Sequence, residues 1–350
     1  MYEGNTVGMD MGDKKHRVCA LDETGEVRER ASVVNTATGV RKYFKALAPC
    51  RVVIEAGTHS GWVSRILEEL GHEVWVGNPR KLRAIWDSDE KDDDRDAEML
   101  ARIGRLDPHL LSPVRHRGKE AQVDLAVIKA RGMLVKSRSM LIGHCRGIVK
   151  SVGQRISKCT AEAFHRRLKD EMPEELACAL EPVMQSIEEL TVRIRHYDKL
   201  VEQLGREKYP EAQGLRAIKG VGPLTSLAFV LTIEDCGRFD QSRSVGPYLG
   251  LTRKRDRSGE TDKQLGITKA GDENLRSLLV GSAQYILGPF GRDCELRRFG
   301  LKLVQRGGKN AKGRAAVAVA RKLAVLMHHL WQSGAAYDPF YHEHQKKKAA

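Results

Sequence analysis

No apolar run in the 350-residue chain approaches the roughly 20 residues that a membrane-spanning helix needs, so no spanning helix is expected. The start, Met1-Tyr2-Glu3-Gly4-Asn5, has neither the basic stretch nor the apolar core of a secretory leader. The seven cysteines are odd in number and lack paired spacing, which argues against a disulfide framework and against a zinc site. A reducing cytoplasm is the expected compartment. Acidic residues are also scarce. Asp and Glu number 46 against 60 Lys and Arg, a net charge of +14. That imbalance is the electrostatic signature of a phosphate-rich partner, because nucleic-acid affinity comes largely from neutralised phosphates. The length leaves room for two or three domains with true cores.

Against this basic background, one acidic stretch stands out. Lys91-Asp92-Asp93-Asp94-Arg95-Asp96-Ala97-Glu98 puts four aspartates into five positions ahead of an apolar-periodic helix. Aspartate suits a helix start, where it faces exposed N–H groups and the positive end of the dipole. Asp93 and Asp96, three apart, share one helix face, as do Asp92 and Asp96, four apart. Paired carboxylates on one face repel unless a cation sits between them, and Mg²⁺ takes such hard oxygen ligands.

Upstream, Thr6–Asp10 reads as a strand ending in an acid, followed by strands at Arg17–Leu21 and Glu26–Arg30. Gly39–Leu47 has helical spacing. Arg51–Gly57 reads as a buried strand that passes through a second acid, Glu55, and Ser60–Leu70 as a helix. His72–Gly77 is a further strand, closed by Asn78-Pro79. The order βββαβαβα predicts an α/β layer with mixed strand directions. If the Asp10 and Glu55 strands are neighbours, their carboxylates lie side by side at the strand ends, where α/β sheets gather their ligands. Asp93 and Asp96 would approach from the covering helix.

From Arg115 the pattern turns helical, with long periodic stretches at Lys119–Val149 and Ala179–Leu204. Leu180, Met184, Ile187, Leu190, Ile194, Tyr197, Val201 and Leu204 form a near-heptad seam, which suits self-association or packing within one domain. Two such helices joined near Gly153–Pro173 predict an antiparallel arm. Beyond it, Ile218-Lys219-Gly220-Val221-Gly222 predicts the turn of a helix-hairpin-helix, whose backbone N–H groups can meet a DNA phosphate. A polar loop is expected at Arg253-Lys254-Arg255-Asp256-Arg257-Ser258-Gly259-Glu260. A serine among such cations can attack a phosphodiester, since they hold the phosphate and offset developing charge, although a serine before glycine is also an ordinary turn residue. Thr268–Arg276 caps a further helix, Ala311–Trp331 reads as amphipathic, and His342–Ala350 as a frayed basic tail.

Taken together, Val7-Gly8-Met9-Asp10, Val53-Ile54-Glu55, the Lys91-x-Asp93-x-x-Asp96-Ala97 helix, the Ile218–Gly222 turn, Tyr248-Leu249-Gly250-Leu251, Ser258-Gly259 and Ile267–Gly271 with Leu275-Arg276 resemble the DEDD-type transposases of the insertion-sequence-110 family. The resemblance implies a RuvC-like, ribonuclease-H-type α/β domain at 1–112, a helical coiled-coil arm at 113–206, a mainly helical transposase domain at 207–340, and a basic tail at 341–350. It implies Asp10, Glu55, Asp93 and Asp96 as a Mg²⁺ (or Mn²⁺) tetrad and Ser258 as the nucleophile that becomes linked to DNA. Nucleic-acid contacts would come from Lys219, Gly220, Gly222, Arg253, Lys254, Arg255, Arg257, Lys269 and Arg276. The implied partners are donor and target DNA, a bridge RNA that guides recombination, and further copies of the chain as a dimer building to a tetramer on the bacterial nucleoid. The family usually carries threonine or a similar residue where Asp92 stands. Three rivals remain: a junction-resolving metal nuclease without a covalent step, an actin- or sugar-kinase-like ATPase, whose later glycine-rich phosphate loops are missing here, and a basic architectural protein.

Overall fold

The computed structural model describes residues 4–82, 92–258 and 261–349, with backbone alone for 256–258, 261–264 and 346–349. The chain divides into two compact units, Met1–Lys119 and Glu120–Ala350. Among the described residues, no helix is long and apolar enough to cross a membrane.

The first unit contains β1 (Thr6–Met11), β2 (Lys15–Leu21), β3 (Val27–Val34), α1 (Ala37–Phe44), β4 (Arg51–Glu55), α2 (Ser60–Glu69), β5 (Glu73–Gly77), α3 (Pro79–Leu82) and α4 (Asp93–Leu106). The five strands form one sheet in the order β3-β2-β1-β4-β5. β2 runs antiparallel to β1 and β3, whereas β4 runs parallel to β1 and β5. This is the expected mixed α/β layer, with the short α3 as an addition.

Strand alternation sorts the two faces of the sheet. Val7, Met9, Val52 and Ile54 point to one side and are buried with Val63 and Leu67 of α2 and Val40 and Phe44 of α1. Gly8 and Val53, opposite each other in the β1–β4 register, point to the other side, where α4 lies. There Val53 packs with Leu100 and Ile103, and Ala97 and Ala101 pack with Cys19 and Leu21.

In the second unit, α5 (Lys119–Ser151) and α7 (Ala177–Glu207) are long, and α6 (Phe164–Glu171) lies between them in sequence. α5 and α7 run antiparallel, joined by Arg138 to Thr191 (3.2 Å), Arg131 to Asp198 (2.6 Å) and Lys208 to Asp124 (3.1 Å). The predicted seam is filled by the chain itself. Leu180, Met184 and Ile187 pack with Cys145 and Val149 of α5 and with Phe164 and Leu168 of α6.

The remainder comprises α8 (Pro210–Leu215), α9 (Pro223–Ile233), α10 (Val245–Tyr248), β6 (Arg253–Ser258), β7 (Thr261–Ile267), α11 (Glu273–Leu287), α12 (Glu295–Gln305), α13 (Ala311–Ser333) and α14 (Tyr341–Ala349). From Thr225 to Ile233 every residue of α9 is buried. A helix apolar on all sides belongs at the centre of its unit, and Leu227, Phe229 and Leu231 indeed share a core with Leu275, Leu279, Leu323 and Met327.

Two expectations are corrected. The polar loop at 253–260 is instead the antiparallel ribbon β6–β7, with Ser258 paired to Thr261 at its end; Gly259 and Glu260 lie outside the described residues. The tail expected to fray is the helix α14.

Candidate carboxylate site and nucleic-acid surface

The parallel register of β1 and β4 carries Asp10 and Glu55 one step beyond the Met9–Ile54 pair, with both side chains on the α4 face. α4 comes close because glycine stands at two points of contact. A Cβ on Gly8 would meet the Ala97 carbonyl oxygen at 2.0 Å and the Ala101 nitrogen at 2.5 Å. A Cβ on Gly104 would lie 2.2 Å from Val53 Cγ2. The helix is thus seated on β1 by its own backbone and on β4 by a side chain. Further ties fix its rotation: Arg51 of β4 donates to the Gly104 carbonyl (2.9 Å), and Glu98 pairs with Arg30 of β3 and Arg102.

The first turn of α4 shows a division of labour among its aspartates. Asp92 is the N-cap, and its carboxylate accepts from the Asp94 backbone N–H at 3.0 Å. That is the usual service of aspartate at this position. Asp94 faces Arg17 at 3.7 Å. The charges of Asp93 and Asp96 act on Asp10. The Asp10 carboxyl is pushed up to about 6, by burial first and then by the negative charges of Asp93, Asp96 and Glu55. Three acids from two other elements therefore converge electrostatically on Asp10.

As placed, no three His, Cys, Asp or Glu side chains among the described residues are grouped as the ligands of one ion. Fit is therefore judged on the donors. All four are carboxylates, the hard oxygen ligands that Mg²⁺ and Mn²⁺ accept, and charge crowding at Asp10 is what a divalent cation relieves. The residues suit such an ion.

A pH signature follows. With its pKa near 6 against an ordinary 3.8, Asp10 makes the folded chain hold more protons than the unfolded chain between those values. Its contribution to stability is present below pH 3.8 and lost as pH rises through 6. A bound cation competes with that proton. About 10 mM Mg²⁺ should raise the melting temperature clearly near pH 7.5 and much less near pH 5. An equal rise at both, measured by differential scanning calorimetry, would remove Asp10 from the cation's ligands.

The basic residues are distributed over the second unit. Lys219 is exposed beside Gly220, whose φ of +100° makes the turn. Gly222 is the N-cap of α9. Arg253, Lys254 and Arg255 are exposed along β6. Of Arg257 and Ser258 only the backbone, at the far end of that strand, is described. Lys269 is exposed at a φ of +54°. Arg276 departs from expectation. It is 8% exposed, and its guanidinium donates to the carbonyls of Leu249 (3.2 Å) and Ala270 (2.6 Å). Those bonds lock the start of α11 to two backbone segments and leave Arg276 as a structural clamp rather than a phosphate contact.

The family model of the DEDD transposases of insertion sequence 110 matches residues 7–153, and that of the IS116/IS110/IS902 transposases matches 212–290. The transposase for insertion sequence element IS1111A of Coxiella burnetii is 28% identical over 93% of this chain and 89% of its own. A protein of Sinorhizobium fredii named as a transposase is 31% identical over 85% of this chain and 76% of its own. The pilin gene-inverting protein of Moraxella lacunata is 27% identical over 43% of this chain and 49% of its own. The chain belongs to the IS116/IS110/IS902 family of transposases.

Proposed function

We propose that the protein cuts and rejoins DNA, with a divalent-metal site at Asp10, Glu55, Asp93 and Asp96 and with Ser258 as the nucleophile. The observation that carries the metal site is the charge crowding of Asp10 by three acids from the end of β4 and the first turn of α4. Mg²⁺ or Mn²⁺ held there would supply Lewis-acid stabilisation of the reacting phosphate and lower the pKa of a bound hydroxyl.

The other steps belong to the chain's own groups. The Ser258 Oγ attacks phosphorus, its proton passing to a base. An ester bond forms between Oγ and phosphorus, one phosphodiester P–O bond breaks, and the departing nucleotide leaves as a hydroxyl. Attack by a DNA hydroxyl on that ester then frees the serine and restores the number of phosphodiester bonds. Arg253, Lys254, Arg255 and Arg257 offset the negative charge that grows on the phosphate oxygens during both attacks. Lys219 and the α9 N-terminus after Gly222, read as a helix-hairpin-helix, hold the backbone of bound DNA.

The name of the Moraxella relative supports rejoining, because inverting a gene reconnects every end that is cut. We also assign to the protein a bridge RNA that selects sites by base pairing, leaving the protein to read backbone and shape, and assembly as a dimer that builds to a tetramer.

A water in the role of Ser258 would make the chain a nuclease of the resolvase kind. Denaturing gels separate the two. Wild type with labelled DNA and Mg²⁺ should yield a protein–DNA adduct, and Ser258→Ala none. Recombination that persists in Ser258→Ala would reject the serine and favour the nuclease.

A further inference from the structure

The second unit contains a large groove that meets the proposed chemistry only at Arg253. About 1230 Å³ lie between one face of α13, the foot of the β6–β7 ribbon, the start of α12 and the segment leading into α14. Val317, Ala318, Val325 and Leu326 of α13, with Leu265 and Ile267 of β7, give it apolar walls. Leu265 is 48% exposed there. The same face of α13 brings Arg314, Arg321 and Lys322 to the groove, and from Arg314 to Leu330 it runs for roughly 24 Å at 1.5 Å per residue.

Among the described residues, the charges in this groove are not balanced, and its two acids are engaged by their own chain. Glu295 accepts from the backbone N–H groups of His342 (2.7 Å) and Glu343 (3.4 Å). Asp338 accepts from the Phe340 N–H (2.9 Å) and meets the His344 ring (2.7 Å). Among the described residues, no carboxylate forms an ion pair with Arg314, Arg321 or Lys322. Arg314 donates to the Gly307 carbonyl (2.8 Å), and the Lys322 ammonium lies 4.3 Å above the Phe299 ring. Apolar walls with unpaired cations along them call for a ligand with flat apolar faces and regularly spaced negative charge. Unpaired nucleotides have both, whereas a duplex hides the faces of its bases.

The ribbon points to the source of the strand. Arg253, where β6 begins, lines the groove, and Ser258 ends the same strand five residues on. At about 3.4 Å per residue that is roughly 17 Å, a span that three to five nucleotides of a DNA strand held at Ser258 would cover at about 3.4 Å or more each. We propose that the groove holds the unpaired end of the DNA strand undergoing transfer, with bases against α13 and β7 and phosphates on Arg314, Arg321 and Lys322. The choice of DNA rests on the serine reading of the proposed function; the groove's taste for unpaired nucleotides does not.

The test uses the full chain carrying Ser258→Ala, so that binding is read without reaction. Fluorescence anisotropy would compare oligothymidine of about 12 nucleotides, oligouridine of that length, and a duplex. Two further variants are added separately: Arg321→Glu with Lys322→Glu, which reverses charge, and Ala318→Phe, which fills the groove without touching charge. Each should weaken oligothymidine binding about tenfold or more and duplex binding less than about threefold, as expected for loss of stacked bases. Circular dichroism checks that both fold, and the surface charge pair decides the matter should Ala318→Phe not fold. Equal losses for all three ligands, or none, would overturn the proposal. Losses confined to oligouridine would overturn the choice of DNA and give the groove to RNA. Covalent trapping by the Ser258-containing protein that survives a failed groove test would separate this failure from failure of the proposed function.

Discussion

If the proposed metal site is correct, Asp96→Asn is expected to leave a folded protein that loses on the order of 10³-fold or more of its divalent-metal-dependent cleavage and joining, because it removes a charge from that site while keeping the shape of the side chain. Asp93→Asn should do the same. Each should also make the metal-free protein more stable near pH 7, since each removes a charge that pushes Asp10 upward. Lost activity with gained stability is the signature of an acid retained for chemistry. Asp92→Asn should behave oppositely. Asparagine caps helices about as well as aspartate, so its activity and melting temperature should stay near wild type. Asp92→Ala should cost about 1 kcal/mol through the lost cap. The measurement is plasmid recombination under matched Mg²⁺, beside thermal melting with and without the ion. Should Asp92→Asn abolish recombination while Asp93→Asn spares it, the third acid is Asp92.

Gly8→Ala should nearly silence the protein without touching a carboxylate. Its Cβ would overlap the Ala97 carbonyl and the Ala101 nitrogen, so α4 must move away from β1, carrying Asp93 and Asp96 with it. Misplacement of about 1 Å costs on the order of 10²-fold in rate, and overpacking of this kind costs roughly 1–3 kcal/mol. Because the obstacle is backbone, no side-chain truncation opposite Gly8 should rescue it. Gly104→Ala makes the informative contrast. There the obstacle is Val53 Cγ2, so Val53→Ala should restore part of the lost activity. Wild-type turnover in Gly8→Ala would show that the seating of α4 does not control the site.

Much of the first unit was legible because its central strands are short apolar runs, buried on both faces. β1 and β4 alternate between two cores, and the acid at each strand end breaks an otherwise apolar pattern. The parallel pairing that unites Asp10 with Glu55 was only a condition in the sequence, since no local signal names a strand's neighbour. The N-cap role of Asp92, which bears on the choice between Asp92 and Asp93, also shows only in the backbone geometry. β6 was hidden for a physical reason: Arg253–Ser258 has no apolar alternation, so its pairing shows in backbone hydrogen bonds and not in side-chain pattern. Arg276 misled for the converse reason, because an arginine clamping two carbonyls looks like any surface cation. Gly8 and Gly104 were visible as letters, but a glycine reveals close approach only when the opposing element is known. The unpaired cations of α13 gave no motif at all, being seven and eight residues apart on a helix read simply as amphipathic.

The mixed sheet has one further consequence, in time rather than space. Asp10 is synthesised 83 residues before Asp93 and 86 before Asp96, and β1 cannot meet α4 until the strands between them have left the ribosome. At about 5–20 residues per second, the first acid waits roughly 4–17 seconds for its partners. A nascent fragment that ends before α4 carries the first carboxylate without the last two, so the proposed metal site cannot assemble in it.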